Sequence, residues 1–192
     1  NYFKQVFAQV TNPAIDAIRE ELVMSLTSYM GSRKNLLDEG PEHCSMLKYM
    51  RPVFTNGELA KIVDSSNPLI QTVTIDSVFP AERNSGVLEK RLNEICREAE
   101  KAVDDGHNII ILSDRNIGEG LAAIPSLLAC SAVHHHLIKS KKRTRAGIIV
   151  ESGEPREVMH YALLIGFGAD AINPYIAFAT IRELEKSGKI KA

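Results

Sequence analysis

Residues 108–114 read NIIILSD, a run of four bulky apolar side chains that is followed by two polar residues. Three other stretches have a similar form: TVTID at 72–76, AGIIVESG at 146–153 and DAINPY at 170–175. Their apolar residues are nearly continuous and do not alternate with polar ones, which is typical of strands buried on both faces of a parallel sheet. The four stretches therefore predict a mainly parallel sheet.

Segments with helical periodicity separate these predicted strands. They cover residues 86–106, 121–139, 154–168 and 176–188. Gly106 stands where a helix C-terminus favours glycine, and Pro155 suits the first turn of the third helix. Alternating strands and helices with short connections predict βα units of the α/β class, either in an open doubly wound sheet or in a rudimentary, incomplete (β/α) barrel.

The first 70 residues lack this alternation. Residues 15–31 have the pattern of an amphipathic helix that ends at Gly31, and residues 56–64 favour a second, short helix. A chain of 192 residues with 44% hydrophobic content can bury one substantial core. We therefore predict a single domain over 1–192, with a helical N-terminal lead-in at 1–70 and βα units at 71–192.

Charge and hydropathy exclude several classes of partner. The formal net charge is −1, and the one basic cluster, Lys139–Arg145, is short and isolated, so no nucleic-acid partner is expected. No apolar run approaches the roughly 20 residues that span a bilayer, so no membrane partner is expected. Cys44, Cys96 and Cys130 lie far apart without a C-x-x-C spacing. They predict neither a metal site nor a disulfide framework, and they favour a reducing compartment, the cytoplasm.

Residues 132–138, AVHHHLI, contain three consecutive histidines, and histidine is both a common metal ligand and a common general base. Successive helical residues are rotated by about 100°, so three neighbours cannot converge on one ion. Cys130 and His134 have the four-residue spacing of metal-binding helices, but a helical cysteine is usually a small buried residue. The apolar arc predicted for this helix comprises Ile124, Leu127, Leu128, Ser131 and Ile138. His134 and His135 are predicted near the edges of this apolar arc, and His136 is predicted on nearly the opposite side of the helix.

Polar residues follow each predicted strand, and the carboxyl ends of parallel strands meet at one edge, where α/β folds commonly bind ligands. These residues are Asp76, Asp114, Arg115, Glu151 and Asn173. Together they could hold an anionic substrate, with a carboxylate as general base. The alternative is that they cap helices and pair locally, for example Asp114 with Arg115. The glycines of IGEG at 117–120 lack the spacing of a phosphate-binding loop.

Six segments occur in a characteristic order along the chain. They are FKQVFAQVTNPAIDAIREELVMSL (3–26), ILSDR (111–115), AIPSLLA (123–129), AVHHHLI (132–138), VESGEPREV (150–158) and GFGADAINPY (166–175). Each alone is weakly specific, but the ordered set strongly resembles the central domain of glutamate synthase. The resemblance extends from about residue 2 to about residue 177, and we expect the chain to be a truncated form of that domain.

The resemblance implies a relative of the FMN-binding (β/α) barrel. In the family, this domain joins a glutamine amidotransferase domain to an FMN and iron–sulfur synthase domain. Ammonia from glutamine passes through a tunnel to the second site, where 2-oxoglutarate becomes glutamate. The nucleophilic cysteine, the FMN site and the cluster ligands of the family have no counterpart in this sequence. The resemblance therefore implies a connector that helps to wall the tunnel, is inactive alone, and has as partners the amidotransferase and FMN-binding domains of its own polypeptide.

Thr11 and Asn12 are our candidates for lining the ammonia tunnel. They precede Pro13 in a predicted loop. Hydroxyl and amide side chains could line a polar constriction without trapping ammonium as a carboxylate would. The alternative is that both residues only shape the turn before the first helix.

Two other functions remain open from the residues alone. The chain could be an independent small α/β enzyme that uses Asp114, Arg115 and Glu151 on an anionic metabolite. It could also be a regulatory ligand-binding module that has kept the barrel shape. Binding of FMN or 2-oxoglutarate by the isolated chain would distinguish them from an inactive connector.

Overall fold

The computed structural model describes residues 25–35, 37–82 and 86–190. In chain order the strands are β1 Ser28–Met30, β2 Leu47–Tyr49, β3 Thr72–Asp76, β4 Val78–Pro80, β5 Ile109–Ser113, β6 Leu121–Ala123, β7 Gly147–Glu151 and β8 Ala171–Asn173. The helices are α1 Asn56–Val63, α2 Val87–Asp104, α3 Ser126–Lys139, α4 Val158–Gly166 and α5 Tyr175–Lys186. Short 3-10 helices cover Pro41–Cys44 and Arg143–Arg145.

The central sheet consists of four parallel strands in the order β3-β5-β7-β8. Strand order follows chain order, so right-handed crossovers place α2, α3 and α4 on the same face of the sheet. That arrangement is a segment of a (β/α) barrel, and the described strands do not close the barrel. The structure thus confirms the predicted class: βα units around a mainly parallel sheet, incomplete and barrel-like.

The helix-side face of the sheet forms the larger core. Ile110 and Leu112 of β5 and Ile148 of β7 are buried there among residues of the helices. The helices contribute Ile95, Ala99 and Val103 of α2, Ala129, Val133 and Leu137 of α3, and Leu164 of α4. Burying each large side chain stabilises the fold by about 1.5–3 kcal/mol, so this layer is the main source of stability.

The lead-in covers the opposite face of the sheet. Ile109, Ile111 and Ile149 point away from the helices and pack with residues of β1, β2, α1 and the segment just before α1. Those residues are Met30, Tyr49, Phe54 and Leu59. Both faces of β5 and β7 are therefore buried, which explains why their sequences are continuously apolar instead of alternating.

The lead-in also pairs with the edge of the sheet at β8. The Phe54 N–H donates to the carbonyl of Ile172 at 2.9 Å, and the Ile172 N–H donates to the carbonyl of Pro52 at 2.8 Å. Helix α1 begins directly afterwards, at a capping box in which the Thr55 hydroxyl and the Glu58 carboxylate each bind the other residue's backbone N–H. The lead-in thus satisfies backbone groups that an exposed edge would leave unpaired.

Three predicted helices need correction. Residues 28–30, assigned to the helix at 15–31, form β1 and pair with β2, while residues 15–24 lie outside the described residues. The Met30 side chain is buried in the core and packs against Gly147. Tertiary packing therefore overrides the helical periodicity of residues 28–30. The described part of the lead-in therefore combines one α-helix with a two-stranded sheet.

The other two helices begin later than predicted. Residues 121–123 pair with β4, and helix α3 starts after Pro125, because the residue before a proline disfavours helical backbone. Helix α4 begins at Val158 and not at Glu154. Glu154 instead turns its carboxylate to the N-terminus of α3, where it accepts the Ser126 N–H at 2.7 Å.

Candidate functional site

The carboxyl ends of the parallel strands bring together four of the five predicted strand-end residues. Asp114 and Arg115 follow β5, Glu151 ends β7, and Asn173 ends β8. With four neighbours they form the rim network. The neighbours are Asn56, Ser113, Ser152 and Tyr175.

Arg115 forms its ion pair with Glu151 and not with its neighbour Asp114. Arg115 Nε donates to Glu151 Oε1, and the Ser113 hydroxyl donates to Glu151 Oε2 at 2.6 Å. Ser113 and Glu151 are partners in the β5–β7 register, which holds this pair in place. The local pair between Asp114 and Arg115, given above as an example of the alternative, does not form, because the adjacent strand offers a better-placed carboxylate.

Asp114 is almost fully buried, with 2% of its surface exposed. Its carboxylate accepts the Ser152 hydroxyl at 2.6 Å, the Gly153 N–H at 3.2 Å and the Tyr175 hydroxyl at 2.7 Å. Burial raises the pKa of Tyr175, and the bond to Asp114 raises it further, so the phenol remains a donor. The Arg115 guanidinium lies 4.2 Å from the centre of the Tyr175 ring and so joins the two carboxylate groups into one network.

Asn173 connects the rim network to the lead-in. Its amide donates to the Phe54 carbonyl at 2.9 Å and to Asn56 Oδ1 at 3.0 Å. Arg115 Nη2 also donates to Asn56 Oδ1, at 3.2 Å. The rim network therefore holds the start of α1 against the ends of β5, β7 and β8.

Asp76, the fifth predicted residue, lies apart from the rim network. It is exposed, and its carboxylate accepts the Asn116 side-chain amide at 2.7 Å. Its backbone carbonyl accepts Arg91 Nη2 at 2.8 Å. The structure thus does not bring Asp76 together with the other four residues.

The chemistry of the rim network is that of a closed set of hydrogen bonds. Each carboxylate oxygen of Asp114 and Glu151 accepts a donor from the protein itself. Every buried side-chain nitrogen and oxygen in the described part of the chain has a hydrogen-bond partner. A general base needs a lone pair directed at its substrate; each Asp114 oxygen accepts two donors of the chain itself, and the Glu151 carboxylate is engaged by Arg115 and Ser113.

Four residues of the rim network were absent from the predicted set. Tyr175 follows a strand end within DAINPY, and Ser113 and Ser152 flank predicted residues, so all three carried a positional signal in the sequence. Asn56 carried none, because it lies 117 residues from its partner Asn173. Thr11 and Asn12, the predicted tunnel residues, lie outside the described residues.

A groove of about 540 Å³ lies beside the rim network, between the N-terminus of α3, helix α4 and the first turn of α5. Apolar side chains of Leu127, Leu163 and Ile176 line it, together with Arg156 and His160. Glu154 also lines it, and its carboxylate occupies the N-terminus of α3. An anion commonly binds at such a helix end, and here the protein supplies its own.

The histidine run lies on α3, as predicted, but the helix is rotated relative to the predicted arc. Leu128 and Ile138 are 40% and 48% exposed. The buried positions of the helix are instead Ser126, Ala129, Cys130, Val133 and Leu137. Three of these buried residues, Ser126, Ala129 and Cys130, are small, and a pattern of large apolar side chains does not identify them as the buried face.

The three histidines make separate contacts. His135 is exposed, and His136 Nε2 lies 2.7 Å from the Glu100 carboxylate on α2, so His136 faces a neighbouring helix. His134 Nδ1 accepts Arg143 Nε at 2.9 Å. Burial and the Arg143 charge lower the pKa of His134, which favours its neutral form. His134 and His136 therefore hold α3 to its surroundings at two points, while His135 binds only Ser131 of its own helix.

The described residues do not fit a metal cluster. Cys96 and Cys130 are buried in the helix-side core, and burial raises the pKa of the Cys130 thiol to about 12, far from the thiolate that a metal requires. Among the described residues, no three His, Cys, Asp or Glu side chains are placed to hold a metal ion. The N-terminus of α3, where a flavin phosphate could bind, is capped by Glu154.

No helix in the described ranges is long and apolar enough to cross a membrane. The basic cluster at 139–145 makes internal ion pairs: Lys142 binds Glu100 and Asp104, and Arg143 binds Asp170. Part of its charge is therefore neutralised within the fold.

Comparisons with known proteins point to one family. A family profile described as the glutamate synthase central domain matches residues 1–192. The chain is 45% identical over 190 residues to the NADPH glutamate synthase large chain of Bacillus subtilis, covering 99% of this chain and 12% of that protein. It is 43% identical over 193 residues to the ferredoxin-dependent glutamate synthase of Pyropia yezoensis, covering all of this chain and 12% of that protein. It is 40% identical over 193 residues to the NADH glutamate synthase of Schizosaccharomyces pombe, covering all of this chain and 9% of that protein.

Proposed function

This chain belongs to the glutamate synthase central-domain family, and on that premise we propose that it acts as a non-catalytic connector within a glutamate synthase large chain. The large chain would make glutamate from glutamine and 2-oxoglutarate. The connector would join the amidotransferase domain to the FMN-binding domain and help to wall the path of ammonia between them. FMN and the iron–sulfur cluster would then be held outside the described residues. The cytoplasm is the compartment that we propose for the large chain.

The observation that carries this proposal is the closure of the rim network. The strand-end position where a parallel α/β domain binds its ligand is here filled by bonds from Ser152, Gly153 and Tyr175 to Asp114, and from Ser113 and Arg115 to Glu151. Such a network holds these side chains in place, and each oxygen of its two carboxylates already accepts a hydrogen bond from the protein. Rigidity without an open reactive centre suits a wall between two active sites.

The length of the relatives supports a role as one part of a larger polypeptide. The chain spans 9–12% of the length of the three relatives named above. A segment of this size could contribute contacts and spacing to a reaction performed elsewhere. The alternative, a site for an anionic metabolite at Asp114, Arg115 and Glu151, stays a prediction. It would require the pair between Arg115 and Glu151 to open, because that pair neutralises the only cation of the site.

The experiment that tests the tunnel role changes Thr11 in the full large chain. We expect Thr11→Phe to narrow the ammonia path, so that glutamine hydrolysis continues while formation of glutamate from 2-oxoglutarate falls several-fold. The ratio of glutamine hydrolysed to 2-oxoglutarate consumed measures this uncoupling. Thr11→Ser, which keeps the hydroxyl and does not add bulk, is the matched control. An unchanged ratio in Thr11→Phe would refute the role of Thr11 in the tunnel.

A second experiment separates the connector from the anion-binding alternative. Arg115→Gln removes the cation that an anionic metabolite would need and weakens the pair with Glu151. If the connector proposal is right, the KM for 2-oxoglutarate in the large chain stays unchanged, while thermal stability falls. A large rise in that KM with unchanged stability would favour the alternative.

A further inference from the structure

Helix α4 has an outer surface unlike that of an ordinary surface helix. None of its nine residues is charged, and only Leu164 is buried. Val158 and Met159 in its first turn are 83% and 63% exposed. A helix at the surface of a globular protein normally directs charged side chains to solvent, as α2 does, where nine of 18 residues are charged. Contact with another protein surface would explain an exposed face of this composition.

The exposed apolar side chains of α4 continue into the neighbouring groove. Leu163 of α4 and Ile176 of α5 both line the groove and both remain exposed. Ile176 packs closely against Gly153, where an added Cβ would lie 2.5 Å from Ile176 Cδ1, so this wall of the groove is already in place. Helix α5 has no buried residue, and its apolar face is therefore also available for contact.

The groove contains one acidic side chain, Glu154, whose carboxylate accepts the Ser126 N–H at the start of α3, and on the side of α4 its polar groups are donors. His160 Nδ1 accepts the backbone N–H groups of Arg156 at 3.1 Å and Glu157 at 3.3 Å, which places the ring hydrogen on Nε2. The guanidinium of Arg156 is exposed and has no ion-pair partner among the described residues. These donors suit a partner that presents a carboxylate or backbone carbonyls beside its apolar side chains.

We propose that this docking surface binds another part of the same large chain, an apolar segment with an acidic side chain opposite Arg156. The docking surface comprises Leu127, Arg156, Met159, His160, Leu163 and Ile176. The inference rests on the proposed connector role. In the Bacillus subtilis relative, the matched region is 12% of the protein, so most of that polypeptide lies outside it and is covalently tethered to it. Tethering raises the effective concentration of a segment to the millimolar range, so a modest apolar groove is sufficient to retain it.

The experiment places a photoreactive residue on the docking surface of the full large chain. Met159 is replaced by p-benzoylphenylalanine, the purified protein is irradiated, and the cross-linked peptides are identified by mass spectrometry. Lys90, exposed on the charged outer face of α2, carries the same photoreactive residue in the matched control. We expect a cross-link from position 159 to a peptide of the same polypeptide outside the 192 residues, with a yield several-fold above that from position 90.

Two outcomes would overturn the inference. A cross-link that joins two polypeptides would show that a second copy occupies the surface, and a yield no higher than that of the control would show that nothing does. If the Met159 variant does not fold, as judged by lost glutamine-dependent activity, p-benzoylphenylalanine is placed at position 176 instead. Its cross-link yield is compared with that from position 90 in the same way.

A charge reversal tests the predicted chemistry of the partner. Arg156→Glu should lower the cross-link yield from position 159 several-fold, while Arg156→Lys and Lys90→Glu should leave it unchanged. Equal yields in all three variants would contradict an acidic partner side chain. The Thr11 experiment is independent of this one: a cross-link with unchanged glutamine coupling would support docking and refute the tunnel role, and the converse result would do the reverse.

Discussion

The rim network and the docking surface invert what is usual in a parallel α/β domain. The carboxyl ends of the strands normally stay open for a ligand, but here their polar side chains bind one another. The outer faces of the helices are normally charged, but that of α4 is apolar and exposed. In this chain, hydrogen bonds fill the strand-end edge where a parallel α/β enzyme binds its substrate, and apolar side chains are exposed on a helix face that such an enzyme covers with charged residues. Its free surface is suited to protein contact.

The largest effect should come from removing the most buried carboxylate of the rim network. Asp114→Ala would leave donors of Ser152, Gly153 and Tyr175 without an acceptor, and we expect it to lower the free energy of unfolding by about 3–5 kcal/mol. Asp76→Ala is the matched control, because Asp76 is exposed, and it should cost less than about 0.5 kcal/mol. Urea denaturation of the two variants measures the difference. Similar midpoints would mean that the rim network is not closed.

Helix α4 is exposed on its outer face but closely packed at its C-terminal end. Gly168 follows α4 with φ +112°, and an added Cβ would lie 2.2 Å from His134 Nδ1. We expect Gly168→Ala to cost about 2–4 kcal/mol through backbone strain and this clash. Gly106 has φ +98° and open space around it, so Gly106→Ala should cost only about 1–2 kcal/mol. Equal losses in the two variants, measured by thermal unfolding, would show that α4 can shift to make room.

Glu154 lies between the rim network and the docking surface, since it caps α3 and also lines the groove. Glu154→Ala should lower the free energy of unfolding by about 1–2 kcal/mol through loss of the bond to the Ser126 N–H and of the favourable charge at the helix N-terminus. Glu154→Gln keeps the oxygen acceptor and should recover part of the loss. Isothermal titration with inorganic phosphate adds a second measurement. Binding by the Ala variant alone would show that the carboxylate holds an anion position.

A smaller effect is expected on the pH dependence of stability. Burial and the Arg143 charge lower the pKa of His134 in the folded state, below its ordinary value of 6.5. The unfolded chain therefore takes up the proton first as the pH falls, and the stabilising contribution, present above pH 6.5, is lost below it. His134→Asn keeps an acceptor for Arg143 and should flatten this dependence in denaturation curves between about pH 7 and pH 5. The same change at His135, whose charge makes a smaller contribution to the His134 shift, should flatten the dependence less.

The smallest effect is expected on the docking surface. Met159→Ser changes an exposed side chain, so the free energy of unfolding of the 192-residue chain should change by less than about 0.5 kcal/mol. In the full large chain the same variant should lose thermal stability, because there the side chain would be covered. A large loss of unfolding free energy in the 192-residue chain would mean that Met159 is packed in the core. The docking surface would then not be an exposed surface that contrasts with the rim network.

Much of the fold could be predicted because long apolar runs carry a strong local signal. The four parallel strands occur within one or two residues of their predicted bounds, since four consecutive bulky residues such as Ile109–Leu112 have few alternatives to a buried strand. Residues 28–30 and 121–123 were assigned to helices because three-residue strands carry almost no periodicity. Their partners, β2 and β4, lie 17 and 41 residues away or more, beyond the range of a local pattern.

The strand-end site could be predicted only as a position. Chain order and strand polarity placed Asp114, Arg115, Glu151 and Asn173 at one edge, as the structure has them. Which side chains pair was not accessible, because a carboxylate binds whichever donor lies within about 3 Å, and that depends on strand register and rotamers. Arg115 therefore pairs with Glu151 on the next strand and not with the adjacent Asp114.

The sequence by itself determined the α/β class, the four-stranded parallel core and the family, because these follow from local apolar runs and ordered motifs. Only the tertiary structure decided that the strand ends are closed by their own hydrogen bonds and that α4 keeps an uncovered apolar face. Both depend on which distant residues come into contact, and a one-dimensional pattern does not contain those distances.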